Sequence, residues 1–329
     1  MKLLPASMAT LRQTARKWRT RRIEKALEAI ASDGASGEDL AVVFGNCQAA
    51  PIAALLQGDQ AFSRKFRLVR IPAVQEITTQ QADLLRRVLP HIQLLVTQEI
   101  RDNYRDLPVG TNQLLELLPK SSQVVRYPVL YYEGLHPYQV YIRHTGPTSE
   151  LAPLTDYTDL RFLAIAARGL SDEQGRKFLK AYTPPRDALI EIHESSLRNL
   201  RDREARLDVA ASDFIADSSN IDFYTVNHPS NAVLSRVAGD VSTRVGISSR
   251  MGEASHGEFL DHTRAPIDAT TLEALHRDAA PDPTWTIGSS RVSNDVVMQA
   301  HLAWLRARPT LVKAGLHQHA QRLDDLGLE

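Results

Sequence analysis

In a chain of 329 residues, 39 lysines and arginines balance 39 aspartates and glutamates, so there is no overall positive field and nucleic acid is not an expected partner. The single cysteine excludes an intrachain disulfide and a cysteine-cluster zinc site, and no metal is assigned. Met1 to Ala9 has no apolar leader core, and no stretch reaches the roughly 20 apolar residues of a membrane span. A cytoplasmic globule is the expectation.

Leu11 to Ala31 has helical spacing and dense positive charge in Arg12, Arg16, Lys17, Arg19, Arg21, Arg22 and Lys25. Its apolar face (Leu11, Trp18, Ile23, Leu27, Ile30) is thin. A solvated helix packed on the core is expected, with peripheral contact to an anionic membrane or an acidic partner as the alternative. Ser32 to Glu38 is a polar linker, so residues 1–38 form a basic helical extension and the folded domain begins at 39.

Ala41 to Phe44 is a continuous apolar run suited to a strand buried on both faces. Gly45 permits a tight turn, and Ala49 to Leu56 is a good helix former. Cys47 therefore falls at or near a helix N-terminus, where unpaired N–H groups and the helix dipole lower a thiol pKa. The alternative is a cysteine acting as a small buried hydrophobe. Asn46 and Gln48 flank it with hydrogen-bonding groups, at the carboxyl end of a strand where open α/β sheets bind ligands.

Phe66 to Ile71 alternates as a strand, Thr78 to Val88 has helical spacing with Thr78 or Thr79 as N-cap, and Ile92 to Thr97 is another buried strand. Thr111 to Leu118 and Gln123 to Tyr127 add a helix and a fourth strand. This alternation predicts a three-layer α/β fold with a mainly parallel central sheet and right-handed connections. The third strand ends in a polar cluster in which Gln98 can donate to an oxyanion and Arg101 can hold a phosphate or carboxylate; a solvated loop is the alternative.

Tyr127 to Tyr138 is the aromatic centre of a chain sparse in aromatics. Tyr132 and its neighbours around Gly134 and His136 suit a binding wall or, equally, a packed loop. Asp156 to Asp208 is helical throughout, predicting a cap at about 151–215, with His193 on its surface or between helices. Asn220 to Val226 returns to strand character and ends in Asn227-His228-Pro229, a second strand-to-helix corner. His228 is the best base for Cys47, because imidazole deprotonates thiols and hydroxyls near neutral pH.

Gly45-Asn-Cys-Gln48, the Gln98 corner, Gly134-Leu-His-Pro137 and Asn227-His-Pro229 together resemble the WcbI polysaccharide-biosynthesis family, over roughly Asp39 to Pro309. The resemblance implies an SGNH-hydrolase-like fold and coenzyme A-dependent acetylation of capsular sugars. Coenzyme A is then a substrate and a sugar or polysaccharide the acceptor. Cys47 stands where SGNH enzymes carry serine, there is no Gly-x-Asn-Asp block, and Asp222 is too far from His228 for an Asp-x-x-His pair.

Beyond Val241, Pro266 to Ala279 reads as loop and helix, Trp285 to Ser290 as loop, and Asn294 to Arg306 as an amphipathic helix. His256, His262 and His276 have no evident partner spacing. His317 to His319 reads as part of an exposed tail at 311–329. The expected whole is one α/β acyltransferase domain over 39–310. Cys47 and His228 are its catalytic candidates, and Gly45, Asn46, Gln48, Gln98, Arg101, Tyr132, His136 and Asn227 bind substrate or oxyanion. A thiol esterase and a non-catalytic sugar- or nucleotide-binding protein are the rival readings.

Overall fold

The computed structural model describes residues 20–32, 37–142, 152–248 and 257–329. The chain divides into two compact units, one of Met1–Val129, Glu204–Ala211 and Leu234–Ser255, the other of Leu130–Arg203, Ser212–Val233 and His256–Glu329. The expected domain at 39–310 is thus shared between two units. The expected cap falls in the second, apart from Glu204–Ala211.

In the first unit, residues 20–32 form helix α1. Leu27 and Ile30 are buried in the core, and Ile23 packs against it. The helix commits its apolar face there, as a solvated core-packed helix should. Arg12, Arg16, Lys17 and Arg19 of the basic stretch lie outside the described residues. Next come β1 (Asp39–Phe44), α2 (Ala49–Gly58), α3 (Gln60–Lys65), β2 (Phe66–Val69), α4 (Thr79–Val88), β3 (Ile92–Thr97), α5 (Thr111–Leu115) and β4 (Gln123–Arg126). All four strands pair in parallel in the order β2-β1-β3-β4. Leu40 to Phe44 and Leu94 to Thr97 are fully or almost fully buried, as central strands covered on both faces require. Thr78 caps α4 in a reciprocal box with Gln81, the predicted N-cap.

The strand order reverses between β1 and β3, and ligands of doubly wound sheets bind at the carboxyl ends of strands at such a reversal. Cys47 follows β1 and Gln98 follows β3. The sheet's topology brings both corners to this crevice.

The second unit contains β5 (Gln139–Val140), β6 (Thr158–Asp159), α6 (Leu160–Ala167), α7 (Asp172–Ala181), α8 (Arg186–Glu204), α9 (Ser212–Ala216), β7 (Phe223–Thr225) and β8 (His228–Pro229). After α10 (Asn231–Arg244) come β9 (Thr263–Arg264), α11 (Ala269–Ala274), β10 (Thr284–Ile287), β11 (Ser290–Ser293), α12 (Asn294–Arg306), α13 (Pro309–Gln318) and α14 (Ala320–Asp325). Its core joins Leu160, Phe162 and Leu163 of α6 to Val297, Met298, Leu302 and Leu305 of α12.

Three expectations are corrected here. Asn227-His228-Pro229 is not a simple strand-to-helix corner: His228 and Pro229 form β8, which pairs antiparallel with β7 in a two-stranded hairpin. Trp285 to Ser290 is not a loop but the heart of the β10–β11 hairpin, turning at Gly288 with φ of 62°. Gly288-Ser289 is a two-residue turn in which glycine supplies the positive φ, a local hairpin signal. The expected tail is α13 and α14, with Leu311, Leu323, Leu326 and Leu328 buried. Its leucines recur at helical and capping positions, but polar residues between them mask the apolar stripe.

No helix of the described residues is long and apolar enough to cross a membrane. Because Leu323 belongs to the second unit's core, Leu323→Ala should cost about 2–5 kcal/mol of stability. Urea unfolding reads this directly, and a true tail would show no change.

Candidate active site

The turn after β1 is held from within the first unit. The Asn46 N–H donates to Gln98 Oε1 at 2.8 Å. Gln98 Nε2 donates to Gln48 Oε1 at 3.1 Å and to the Pro128 carbonyl at 3.4 Å. Asn46 in turn accepts the Gln48 N–H on Oδ1 at 2.9 Å and the Ala49 N–H on its carbonyl at 3.0 Å. A Cβ on Gly45 would lie 2.5 Å from Gln98 Oε1 and 2.6 Å from the Tyr127 hydroxyl. Only glycine fits so close an approach.

This changes the role expected of Gln98. Its amide is buried and its polar atoms are engaged by protein groups, so it positions the Cys47 turn and does not reach for an oxyanion. Gln48 is also fully buried. The Gln48 and Ala49 N–H groups already bond to Asn46, and Cys47's own N–H interacts with its thiol.

Cys47 is partly exposed and free. It precedes the N-cap of α2, Gln48, so the predicted strand, turn and helix are present. The predicted thiolate is not. Burial pushes the thiol above its ordinary pKa, outweighing its own backbone N–H, and the Glu76 carboxylate adds to the rise. Desolvation disfavours the charged form more than a few oriented N–H groups favour it. Glu76, far from the motif in sequence, gave no signal there. Arg101 is exposed and stacks over the Tyr104 ring at 5.8 Å, able to meet an anion.

The remaining candidates lie in the second unit. His228 is 8 % exposed in β8. It bonds to the backbone of Thr263, while its Nδ1 is buried with no hydrogen-bond partner. That leaves Nε2 for the Thr263 bond and Nδ1 with its lone pair available. Burial, with His262 nearby, pulls the pKa of His228 down to about 4. The two rings lie 5.1 Å apart, a contact that spacing did not suggest. Asn227 accepts from the Tyr157 hydroxyl at 2.5 Å and from Thr225 Oγ1 at 3.3 Å, so Tyr157 is a further residue that motif reading missed.

The tyrosine stretch is not an open binding wall. Tyr132 is fully buried, its hydroxyl 2.6 Å from His193 Nδ1 and its ring 5.3 Å from that of Phe223. His193, on α8, thus meets a buried loop tyrosine. His136 is 3 % exposed and its Nε2 donates to the Phe223 carbonyl at 3.0 Å. Burial lowers its pKa to about 4. Gly134 lies against the Tyr132 hydroxyl, where a Cβ would come within 2.3 Å. Asp222, doubted from sequence as an orienting carboxylate, instead faces Arg277 at 4.0 Å, and burial raises its pKa. Among the described residues no cluster of three metal-ligating side chains occurs.

Two measurements follow. Alkylation of Cys47 by iodoacetamide should be slow at pH 7, rise only above the ordinary thiol range, and accelerate in Glu76→Gln; a fast, flat profile at pH 7 would contradict a raised thiol pKa. His136 and His228, both lowered to about 4, stay neutral in the folded chain while the unfolded chain binds protons below about pH 6.5. Stability should therefore fall as pH drops from about 6.5 towards 4, and His228→Gln should lessen the fall in the urea midpoint.

Comparison with known proteins adds the following. Residues 40–250 match the family model of the polysaccharide biosynthesis enzyme WcbI. A solved structure of WcbI, described as a novel polysaccharide biosynthesis enzyme in its native form without a disulfide bond between coenzyme A and a cysteine, superposes with a TM-score of 0.67. It is 19% identical, and the match covers 85% of this chain and 98% of that one, a likeness of fold. No curated protein matches. On the family match, which spans most of the chain and includes the Cys47 turn, this protein belongs to the WcbI family of polysaccharide biosynthesis enzymes.

Proposed function

We propose that the protein transfers an acyl group, acetyl in the simplest case, from coenzyme A to a sugar hydroxyl in the making of a surface or capsular polysaccharide. The observation that carries this reading is Cys47 at the carboxyl end of β1, where the strand order reverses. Family membership supports a polysaccharide biosynthesis role, and the related WcbI structure, whose description pairs coenzyme A with a cysteine, supports the donor. Cys47 and His228 are the residues proposed to carry the chemistry. Gly45, Asn46, Gln48 and Gln98 shape the turn, and Arg101 is an exposed cation suited to a coenzyme phosphate.

The raised thiol pKa favours direct transfer over an acyl-enzyme. In direct transfer the sugar oxygen attacks the thioester carbonyl while His228 Nδ1, neutral at pH 7, accepts the hydroxyl proton. The carbon–sulfur bond of the tetrahedral intermediate then breaks, and the coenzyme thiolate recovers that proton. Cys47 stays a neutral thiol and takes no acyl group in this route. The covalent route, with the acyl group resting on Cys47, requires a thiolate that burial opposes.

Mass spectrometry after mixing with acetyl-coenzyme A separates the routes, with no acetyl adduct on Cys47 expected. Calorimetry should show coenzyme A binding, and His228→Ala should lower turnover on an accepted glycan by about 10²–10⁴-fold, the range for a lost general base. Full activity in both Cys47→Ala and His228→Ala would end the assignment. Hydrolysis of simple acyl esters without coenzyme A binding would favour a thiol esterase instead.

A further inference from the structure

The first 23 residues hold seven lysines and arginines and no aspartate or glutamate; the first carboxylate is Glu24. Because the whole chain balances 39 basic residues against 39 acidic ones, everything after residue 23 carries seven negative charges in excess. So strong an asymmetry between a short segment and the rest marks the segment as an interaction surface. The family match begins at residue 40, so this basic stretch lies before the part shared with polysaccharide biosynthesis enzymes.

The described part of the surface is the outer side of α1. Leu27 and Ile30 are buried in the core of the first unit and Ile23 packs against it. Glu24 accepts from Gln81 Nε2 at 3.3 Å, on the side facing α4. Arg21, Arg22 and Lys25 are exposed and form no ion pair among the described residues. Exposed arginines elsewhere are matched by acids, as Arg67 is by Glu38 at 2.6 Å, Arg176 by Asp295 at 2.6 Å and Arg236 by Asp240 at 3.0 Å. On α1, Glu28 is the one fully exposed acid. Like charges three and four residues apart on a helix repel, as Arg22 and Arg21 do with Lys25. An anionic partner converts that repulsion into attraction.

The spread of the charge selects the partner. A small anion meets two or three cations at once, whereas here they run from Arg12 to Lys25, which suits an extended anionic surface. Proteins that bind nucleic acid present a basic domain, and the remainder of this chain is acidic in balance. Among the cations and ahead of them stand Leu3, Leu4, Met8, Leu11 and Trp18. Aliphatic and indole side chains are what a bilayer interface buries and a phosphate backbone does not. Attachment to anionic bilayers grows with both buried apolar area and charge attraction.

We propose that the outer face of α1, together with the basic residues before it, docks on an anionic phospholipid bilayer and holds the enzyme at a membrane surface as a peripheral protein. This goes beyond the acyl-transfer reading and does not depend on it.

The test is co-sedimentation of the full chain with vesicles of phosphatidylcholine alone and of phosphatidylcholine mixed with phosphatidylglycerol. At about 0.1 M salt the mixed vesicles should bind the protein and the neutral ones should not, and binding should vanish near 1 M salt, where the screening length falls to about 3 Å. The combined variant Arg21→Gln, Arg22→Gln, Lys25→Gln should bind the mixed vesicles on the order of a hundredfold more weakly, at about fivefold for each charge removed. Its melting temperature should equal the parent's, since all three side chains are exposed. If it does not fold, Arg16→Gln with Lys17→Gln decides the matter, with an expected loss of about 25-fold. Coenzyme A binding in calorimetry should be equal in variant and parent. Equal binding to neutral and anionic vesicles, parental vesicle affinity in the folded variants, or tighter binding to duplex DNA or RNA than to anionic vesicles would overturn the proposal. So would a loss of coenzyme A binding in the α1 variant, because the face would then belong to the donor site.

Discussion

The first unit turns on one close contact, that between the backbone at Gly45 and the side chain of Gln98. Parallel strands β1 and β3 are neighbours, so their carboxyl ends deliver the Gly45 turn and Gln98 to the same place. With no Cβ at Gly45, the Gln98 carbonyl comes near enough to accept the Asn46 N–H, and its amide nitrogen ties in Gln48 and the Pro128 carbonyl. Asn46 then accepts the N–H groups of Gln48 and Ala49. A buried amide with its hydrogen-bonding capacity met in this way is a rigid support, since each lost bond would leave a desolvated group unpaired.

That rigidity has a chemical consequence at Cys47. Groups that would stabilise a thiolate at a helix start are spent on Asn46, and burial with Glu76 works against ionisation. The corner is therefore built to place a neutral thiol. Dipole arguments for cysteines at helix starts assume orphan N–H groups aimed at sulfur; here most of the nearby ones have other acceptors.

The second unit follows a different economy. Its helical core is conventional, α6 packed against α12 with the last leucines of the chain closing it, but its polar interior is incompletely satisfied. His228 Nδ1, His136 Nδ1, Gln139 Nε2 and Thr271 Oγ1 are all buried without partners. Buried polar groups of this kind are completed by an ordered water or ion, or kept for a catalytic role. The Arg161 clamp between Asp159 and Asp268 holds a buried cation without leaving net positive charge, and it anchors β6, α6 and the start of α11.

The apolar runs at Ala41–Phe44 and Ile92–Thr97, with helices between, determined the parallel sheet, because a strand covered on both faces must be apolar throughout. They also determined that Cys47 and Gln98 end neighbouring strands, and Thr78 was legible as a cap because capping is local. The Gly288 hairpin is equally local, set by its two turn residues. What Gln98 does, whether Cys47 ionises, and that the strand before His228 pairs back on His228 itself in a hairpin were decided by tertiary structure alone. Each depends on which distant groups bury or bond a side chain. Desolvation by the whole surroundings, Glu76 beside the thiol, and His262 beside His228 leave no periodic trace along the chain.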